Sequence, residues 1–172
     1  MPNLAAQIRE ALAMFARNET QPALIGGLAV VAHSVVRATQ DVDFLLDADA
    51  AIKVHAALLD LGYTCLYRSE DAANYVRATE GLDLLYAHRP LARRLLSQAT
   101  ERDTPMGRLR VVSVEGLIGF KLQGYVNDAT RLRDLDDIRA LVKLHRASLD
   151  LDQLCEYFEL FDQLELFSEL IA

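Results

Sequence analysis

The chain has few cysteines and no long apolar run. Among its 172 residues, Cys65 and Cys155 are the only cysteines, and they form neither a close pair nor a metal-ligand spacing. We therefore expect two free thiols in a reducing cytoplasm, which argues against a disulfide-stabilised secreted scaffold. No apolar stretch reaches the roughly 18 residues that a membrane-spanning helix needs, so we expect no membrane partner.

The N-terminal segment also lacks the apolar core of a signal peptide, because its charges recur at the spacing of an amphipathic helix. This pattern predicts a cytoplasmic protein. We find no internal repeat and no low-complexity linker. The length of 172 residues and the 52% content of hydrophobic residues predict one domain with a buried core.

Basic residues are missing from the C-terminal end and concentrated before it. Residues 147–172 hold no Lys or Arg and 7 Asp or Glu, whereas residues 87–146 hold 12 basic and 7 acidic residues. Either these charges lie on solvated helix faces, or the basic ones form a surface for a triphosphate or an RNA backbone. The arginines that would form that surface are Arg89, Arg93, Arg94, Arg108, Arg110, Arg131 and Arg133.

Hydrophobic spacing predicts alternating helices and strands, followed by helices alone. Helices are expected at 3–17, 28–35, 50–61 and 90–99, and strands at 23–25, 41–46, 63–68, 75–79, 82–87 and 108–112. Asp49 is expected to cap the third helix, and Glu80-Gly81 to form a tight turn. From Val114 onward the pattern predicts three or four helices, so the fold class is α+β.

Two carboxylates follow a Gly-Gly step at short range. Asp41 and Asp43 flank Val42 in a predicted strand, so their side chains project on the same side. Paired carboxylates suit magnesium. Gly26-Gly27 leads into a helix and offers unhindered backbone amides to a phosphate. Metal beside phosphate is typical of phosphoryl or nucleotidyl transfer.

The segment GGLAVVAHSVVRATQDVDFLL resembles the signature of the minimal nucleotidyltransferase (polymerase-β-like) superfamily. His33 and Arg37-Ala38-Thr39 are similar to features of its AbiEii-like toxin group. A later helical lysine and a basic-Asp-x-x-Asp step fit the same group; they are Lys121 and Arg133-Asp134-x-x-Asp137. The resemblance covers about residues 22–142.

The resemblance implies a mixed β-sheet flanked by helices, with a nucleotidyltransferase core at 1–113. The helical region 114–172 would pack on that core as part of one compact unit. It also implies that Asp41 and Asp43 hold two Mg²⁺ ions, with Asp83 as a third carboxylate that binds metal or accepts a proton.

The phosphates of a nucleoside triphosphate would approach Gly26 and Gly27, and Lys121 would neutralise their charge. Arg37 and Thr39 either touch phosphate or shape the turn before the carboxylates. Arg133, Asp134 and Asp137 form either a bracing network or a set of substrate contacts. His33 is expected to be a core histidine.

Three functions stay open at this point. The resemblance implies a nucleotidyltransferase that moves a nucleoside monophosphate to an acceptor hydroxyl, with tRNA or protein as the acceptor of toxin-like members. More distant members modify antibiotics. The third possibility is a non-catalytic module for nucleotide or protein binding, against which the intact Asp41, Asp43 and Asp83 argue.

The C-terminal residues 147–172 combine acidic residues with leucines and phenylalanines at helical spacing. This surface either packs on the domain itself or binds a partner, namely an antitoxin or a second copy of the chain. Since it carries no Lys or Arg, direct contact with RNA is not expected there.

Overall fold

The computed structural model describes residues 3–172, which form a seven-stranded mixed sheet with eight α-helices. The strands follow the order β3-β4-β5-β2-β1-β7-β6 across the sheet. Neighbouring strands are antiparallel, except that β1 pairs in parallel with β7 and β2 in parallel with β5. The strands are β1 (Ala23–Ile25), β2 (Val42–Asp47), β3 (Thr64–Arg68), β4 (Ala72–Arg77), β5 (Glu80–Ala87), β6 (Thr100–Thr104) and β7 (Gly107–Val111).

Four helices alternate with the strands and four follow them. The first set is α1 (Leu4–Arg17), α2 (Gly26–Ala32), α3 (Ala51–Asp60) and α4 (Pro90–Gln98). The second set is α5 (Val114–Asn127), α6 (Leu132–His145), α7 (Leu151–Leu160) and α8 (Leu164–Ile171). No helix within residues 3–172 is both long and apolar enough to cross a membrane.

The core lies between the central strands and the helices that cover them. Val42 and Phe44 of β2 are fully buried on the face opposite the carboxylates, and Phe44 meets Phe15 of α1 edge to face at 5.2 Å. In the C-terminal region, Leu117 of α5 and Phe158 of α7 are also fully buried within this same core. The central strands are therefore held rigidly by apolar packing, and the site rests on them.

The α+β class and the four C-terminal helices agree with the sequence prediction, but three local predictions were wrong. β6 was not predicted, because its sequence TERDT is polar and it forms the edge of the sheet. The turn between β4 and β5 lies at Ala78-Thr79, where Ala78 has a φ of 52°, and Glu80 already belongs to β5.

The cap before α3 also differs from the prediction. The Asp47 side chain, not that of Asp49, accepts the backbone N–H of Asp49 at 2.9 Å. A short 3₁₀ turn at Ala48–Ala50 therefore precedes α3. The predicted boundary after residue 113 falls at the start of α5, where the Ser113 side chain accepts the Gly116 N–H.

Candidate functional site

A row of polar side chains crosses three strands on one face of the sheet. Asp43 of β2 pairs with Asp83 of β5, and Asp83 pairs in turn with Asn74 of β4. Residues that pair directly across strands have side chains on the same face, about 5 Å apart. Asn74 Nδ2 donates to Asp83 Oδ1 at 2.9 Å. The fold thus brings together two carboxylates that are 40 positions apart in the sequence.

The third carboxylate, Asp41, lies just before β2 and reaches over Gly81 of β5. A Cβ on Gly81 would lie 2.4 Å from Asp41 Oδ1, so a larger residue here would force this carboxylate to move. Asp41 is exposed, while Asp43 and Asp83 are partly buried. The three side chains that the sequence predicts as a set therefore meet on one face of the sheet.

Gly26 lies directly against the Asp43 side chain. It has a φ of +66°, and a Cβ at this position would overlap the Asp43 carboxylate. Both facts require glycine, since a left-handed backbone and a close approach each disfavour a side chain. The strand β1 ends here and α2 begins, so the Gly26-Gly27 turn faces the carboxylates as predicted.

Crowding shifts the acidity of the carboxyl groups. Burial, together with the nearby charges of Asp83 and Asp41, raises the pKa of Asp43 to about 7, although Lys121 and the Gly27 amide oppose the shift. Burial also raises the pKa of Asp83, and the charge of Asp41 adds to this increase. The hydrogen bond from Asn74 acts in the opposite direction and lowers the pKa. Removing this repulsion requires a proton or a cation.

The loop between α2 and β2 supplies Arg37 and Thr39. Both lie against Gly27, whose Cβ, if present, would be 2.7 Å from Thr39 Oγ1 and 3.2 Å from Arg37 Cζ. Arg37 Nη1 also binds Asp137 Oδ2 of α6 at 2.5 Å. Arg37 therefore ties the loop to α6, which supports the interpretation that it shapes the turn.

A buried ion cluster connects α5 with α6. Lys121 Nζ lies 2.8 Å from Asp134 Oδ1 and 2.9 Å from Asp137 Oδ2, and all three side chains are at least nine-tenths buried. Arg131 Nε approaches Asp134 Oδ2 at 2.7 Å. Asp134 and Asp137 thus belong to a bracing network, in line with one of the two sequence interpretations, but within the described residues its cations are Lys121, Arg131 and Arg37 and not the predicted Arg133. The charge of Lys121 is already paired.

Two cavities meet at the carboxylates. The loop-side cavity, about 630 Å³, is lined by Gly26, Gly27 and the loop with Arg37 and Thr39. The strand-side cavity, about 360 Å³, lies between β4, β5 and α5. The residues that line both are Gly26, Asp43, Asp83, Lys121, Arg131 and Asp134.

The donor set fits Mg²⁺ in part. Among residues 3–172, no group of three or more His, Cys, Asp or Glu side chains is arranged to hold a metal ion by itself. Magnesium is usually bound by one or two carboxylates, with water and substrate phosphates completing its shell. Asp41 and Asp43 provide such a pair, and the raised pKa of Asp43 marks a carboxylate whose ionised form needs a cation. The predicted three-carboxylate metal site stays a prediction.

The predicted basic surface is dispersed. Of its seven arginines, Arg131 and Arg133 line the loop-side cavity. Arg110 donates to the backbone oxygens of Gln21 and Leu96, and Arg108 contacts Glu101 and Asp103. Of the described arginines that line the two cavities at the carboxylates, Arg133 alone is outside every ion pair.

His33 is a core histidine, as expected. It is 2% exposed, and its Nε2 lies 2.8 Å from the Val112 oxygen, while His145 Nε2 lies 2.8 Å from the His33 oxygen. Burial lowers the pKa of His33. Its contacts therefore join the ends of α2, β7 and α6 at a distance from the carboxylates.

Sequence reasoning missed Asn74 and Gly81. Asn74 lies one residue before the start predicted for its strand, so it was not assigned to the face that carries Asp83. The signal was present: Asn74 is the polar residue within the otherwise largely apolar segment Ala72–Val76. Gly81 was assigned to a turn, although it pairs with Val76 inside the sheet.

Comparison with known proteins identifies the fold. ANT(2'')-Ia, solved with adenylyl-2''-tobramycin, superposes with a TM-score of 0.74 at 16% identity over 94% of this chain and 98% of that one. The lincomycin-bound lincosamide antibiotic adenylyltransferase LnuA gives a TM-score of 0.60 at 17% identity, over 79% and 94% of the two chains. An antigenic nucleotidyltransferase-like protein from Paracoccidioides brasiliensis gives a TM-score of 0.54 at 17% identity, over 94% of this chain and 89% of that one.

These similarities confirm the predicted nucleotidyltransferase-like α+β fold. No protein-family model matches the chain, and no curated protein matches its sequence. The AbiEii-like assignment therefore stays a prediction, as does the cytoplasmic location.

Proposed function

We propose that the chain transfers a nucleoside monophosphate from a nucleoside triphosphate to an acceptor hydroxyl, with release of pyrophosphate. The observation that carries this proposal is the convergence of Asp41, Asp43 and Asp83 on one face of the sheet, opposite the glycine turn at Gly26. The acceptor oxygen attacks the α-phosphorus, the bond from that phosphorus to the pyrophosphate oxygen breaks, and the hydroxyl proton leaves to a base.

Asp83 is the base in this scheme. Its Oδ1 is occupied by Asn74, so the other oxygen is left for a hydroxyl that enters through the strand-side cavity. Burial raises the pKa of Asp83, which makes its carboxylate a better proton acceptor than an exposed aspartate. Asn74 keeps the carboxylate in one orientation.

Asp41 and Asp43 would hold Mg²⁺, which supplies charge neutralisation at the triphosphate and lowers the pKa of the attacking hydroxyl. The triphosphate would lie in the loop-side cavity, where the Gly26-Gly27 turn permits close approach of the backbone. Arg133 brings a free positive charge to this cavity. Lys121 is paired with two carboxylates, Asp134 and Asp137. It would therefore act on the triphosphate mainly through the electrostatic potential of the whole ion cluster and not as a free cation.

Two observations bear on the acceptor. The dispersed arginines weaken the basis for tRNA as acceptor, since most of them contact carboxylates or carbonyls outside the site. The most similar folds reported above include two enzymes whose names tie them to antibiotics. A small-molecule acceptor is therefore favoured, and a tRNA or protein acceptor is the alternative.

The proposal is tested by incubating the purified chain with Mg²⁺ and each of four α-³²P-labelled nucleoside triphosphates. Total RNA, protein and small-metabolite extracts serve as acceptors. We expect label in one fraction with one or two of the nucleotides, together with pyrophosphate release. Asp43→Asn should abolish transfer, since it removes a metal ligand.

Asp60→Asn is the matched control, because Asp60 ends α3 away from both cavities. It should transfer label like the unmodified chain. Label that appears in no fraction with any nucleotide would leave the non-catalytic module as the function. Label that persists in Asp43→Asn would show that transfer does not depend on this carboxylate and would contradict the proposed site.

A further inference from the structure

The strand-side cavity has an apolar floor. Leu85 of β5 is partly buried and lies on the same face of the sheet as Asp83, and it lines this cavity together with the buried Leu117 of α5. Phe120 lines the wall one turn further along α5. The volume of about 360 Å³ lies within the range of cavities that bind small ligands. An acceptor that enters here must therefore present an apolar face.

The rim of the same cavity is built from neutral amides. Gln123 and Asn127 are four residues apart on α5, so they share one face of the helix, and Asn74 lies across from them on β4. The side chains of Gln123 and Asn127 form no hydrogen bond with other residues of the described chain 3–172. Each amide can both donate and accept, which suits hydroxyl groups.

The positive charges of the cavity are already compensated. Lys121 contacts Asp134 and Asp137 at 2.8 and 2.9 Å, and Arg131 contacts Asp134 at 2.7 Å. Binding a single-stranded nucleic acid usually needs a free basic groove and several stacking aromatics. Of the described residues that line this cavity, Phe120 is the one aromatic residue.

The negative charges are also committed. Asp134 is engaged by the two cations, and Asp43 and Asp83 serve the metal and the transferred proton under the proposed function. Among the described residues 3–172, no further carboxylate lines the cavity to pair with an ammonium group of an acceptor. A desolvated ammonium without such a partner would bind poorly.

We propose that the acceptor is a neutral, hydroxyl-bearing small molecule with one apolar face, bound between the Phe120 wall and the amides of Asn74, Gln123 and Asn127. This inference rests on the proposed function and adds the chemical class of the acceptor. It separates the acceptor from polycationic aminoglycosides and from RNA ends, which the compensated charges disfavour.

The test compares three probes on the full chain with Mg²⁺ and the preferred nucleotide. Phenyl β-D-glucoside is neutral with an apolar face, tobramycin is a polycation, and the trinucleotide CCA represents an RNA end. Binding is followed by the side-chain amide NMR signals of Asn74, Gln123 and Asn127, and transfer by label from the triphosphate. We expect the glucoside to shift these signals and to bind at least about tenfold more tightly than the other two probes.

The inference would be overturned if tobramycin or CCA bound as tightly as the glucoside. The absence of glucoside binding below about 10 mM, which corresponds to less than 3 kcal/mol of affinity, would also overturn it. Nucleotide binding is measured separately by calorimetry with Mg²⁺. A failure there would reject the proposed function itself, whereas nucleotide binding without glucoside binding would reject only the acceptor class.

A charge variant tests the reasoning behind the inference. Gln123→Glu adds a free carboxylate to the rim and should strengthen tobramycin binding by about threefold, the effect of a partly exposed ion pair. In the same variant, the affinity for the glucoside should fall by less than about threefold. Gln153→Glu makes the same change on α7, outside the cavity, and should alter neither. Equal tobramycin affinity in all three proteins would contradict the charge argument.

Discussion

At the scale of single residues, the site is defined by carboxyl groups placed closer together than their charges favour. The increase in pKa is largest for Asp43, because it is the most enclosed of the three and has both Asp41 and Asp83 as neighbours. With a pKa of about 7, this carboxyl group is protonated in about half of the metal-free molecules at pH 7. The protein stores this repulsion at the place where a cation would relieve it.

This repulsion predicts how stability depends on pH. Because the folded pKa of Asp43 is raised from 3.8 to about 7, the folded state binds the proton more tightly than the unfolded chain. Stability therefore falls as pH rises from about 4 through 7. In EDTA, Asp43→Asn should be more stable than the unmodified chain by about 1–4 kcal/mol at pH 8, and the difference should shrink at pH 5.

Urea denaturation at the two pH values measures this difference. Asp60→Asn provides the control, since Asp60 lies outside the site. A variant Asp43→Asn that is less stable than the unmodified chain at pH 8 would show that the carboxylate is not repelled as described.

Gly26 gives a second prediction at the residue scale. Alanine here must adopt a φ near +66° and push against Asp43. We expect Gly26→Ala to cost about 1–3 kcal/mol of stability and to weaken Mn²⁺ binding at least about tenfold. Gly107→Ala is the matched control, because Gly107 also has a positive φ but has open space around its Cα.

Urea denaturation and Mn²⁺ titration by electron paramagnetic resonance check both variants. Gly107→Ala should lose stability through its backbone alone and bind Mn²⁺ normally. Equal Mn²⁺ affinity in the two variants would mean that the approach of Gly26 to Asp43 does not matter for the site.

At the scale of elements, the ion cluster between α5 and α6 holds the helical region against the site. Lys121 lies in the middle of this cluster with less than a tenth of its side chain exposed. Through Arg37, Asp137 also reaches the loop that precedes Asp41. Removing the lysine would therefore disturb two helices and the loop together.

We expect Lys121→Met to destabilise the protein by about 3 kcal/mol, because it leaves two buried carboxylates without their shared cation. Adding Asp137→Asn should recover part of the loss, and a double-mutant cycle in urea gives the coupling energy. Lys143→Met, at the solvent-exposed end of α6, is the control and should change stability little. A loss below about 0.5 kcal/mol for Lys121→Met would contradict a bracing role.

The elements also show where the sequence was informative. Apolar alternation located β2 and β5 because their buried faces carry Val42, Phe44, Leu82 and Leu84. β6 could not be found this way, since an exposed edge strand needs no apolar face. The start of β4 was missed for a related reason, because Asn74 interrupts the apolar pattern at the point where the strand contributes to the site.

At the scale of the whole molecule, the carboxylates could be predicted as a set but their partners could not. The spacing of Asp41 and Asp43 is local, so the period of a strand places them on one side. The pairing of Lys121 with Asp134 and Asp137, and of Arg37 with Asp137, depends on how α5 and α6 fold back over the loop. That arrangement follows from tertiary packing, which no local pattern encodes.

The most direct test of the proposed transfer site is the position of the metal with bound nucleotide. Crystals of the chain are grown with Mn²⁺ and a non-hydrolysable α,β-methylene nucleoside triphosphate, and anomalous diffraction locates the manganese. We predict Mn²⁺ about 2.1 Å from oxygens of Asp41 and Asp43, with the triphosphate along the Gly26-Gly27 turn in the loop-side cavity. Nucleotide bound elsewhere, or bound without manganese at these two carboxylates, would contradict it.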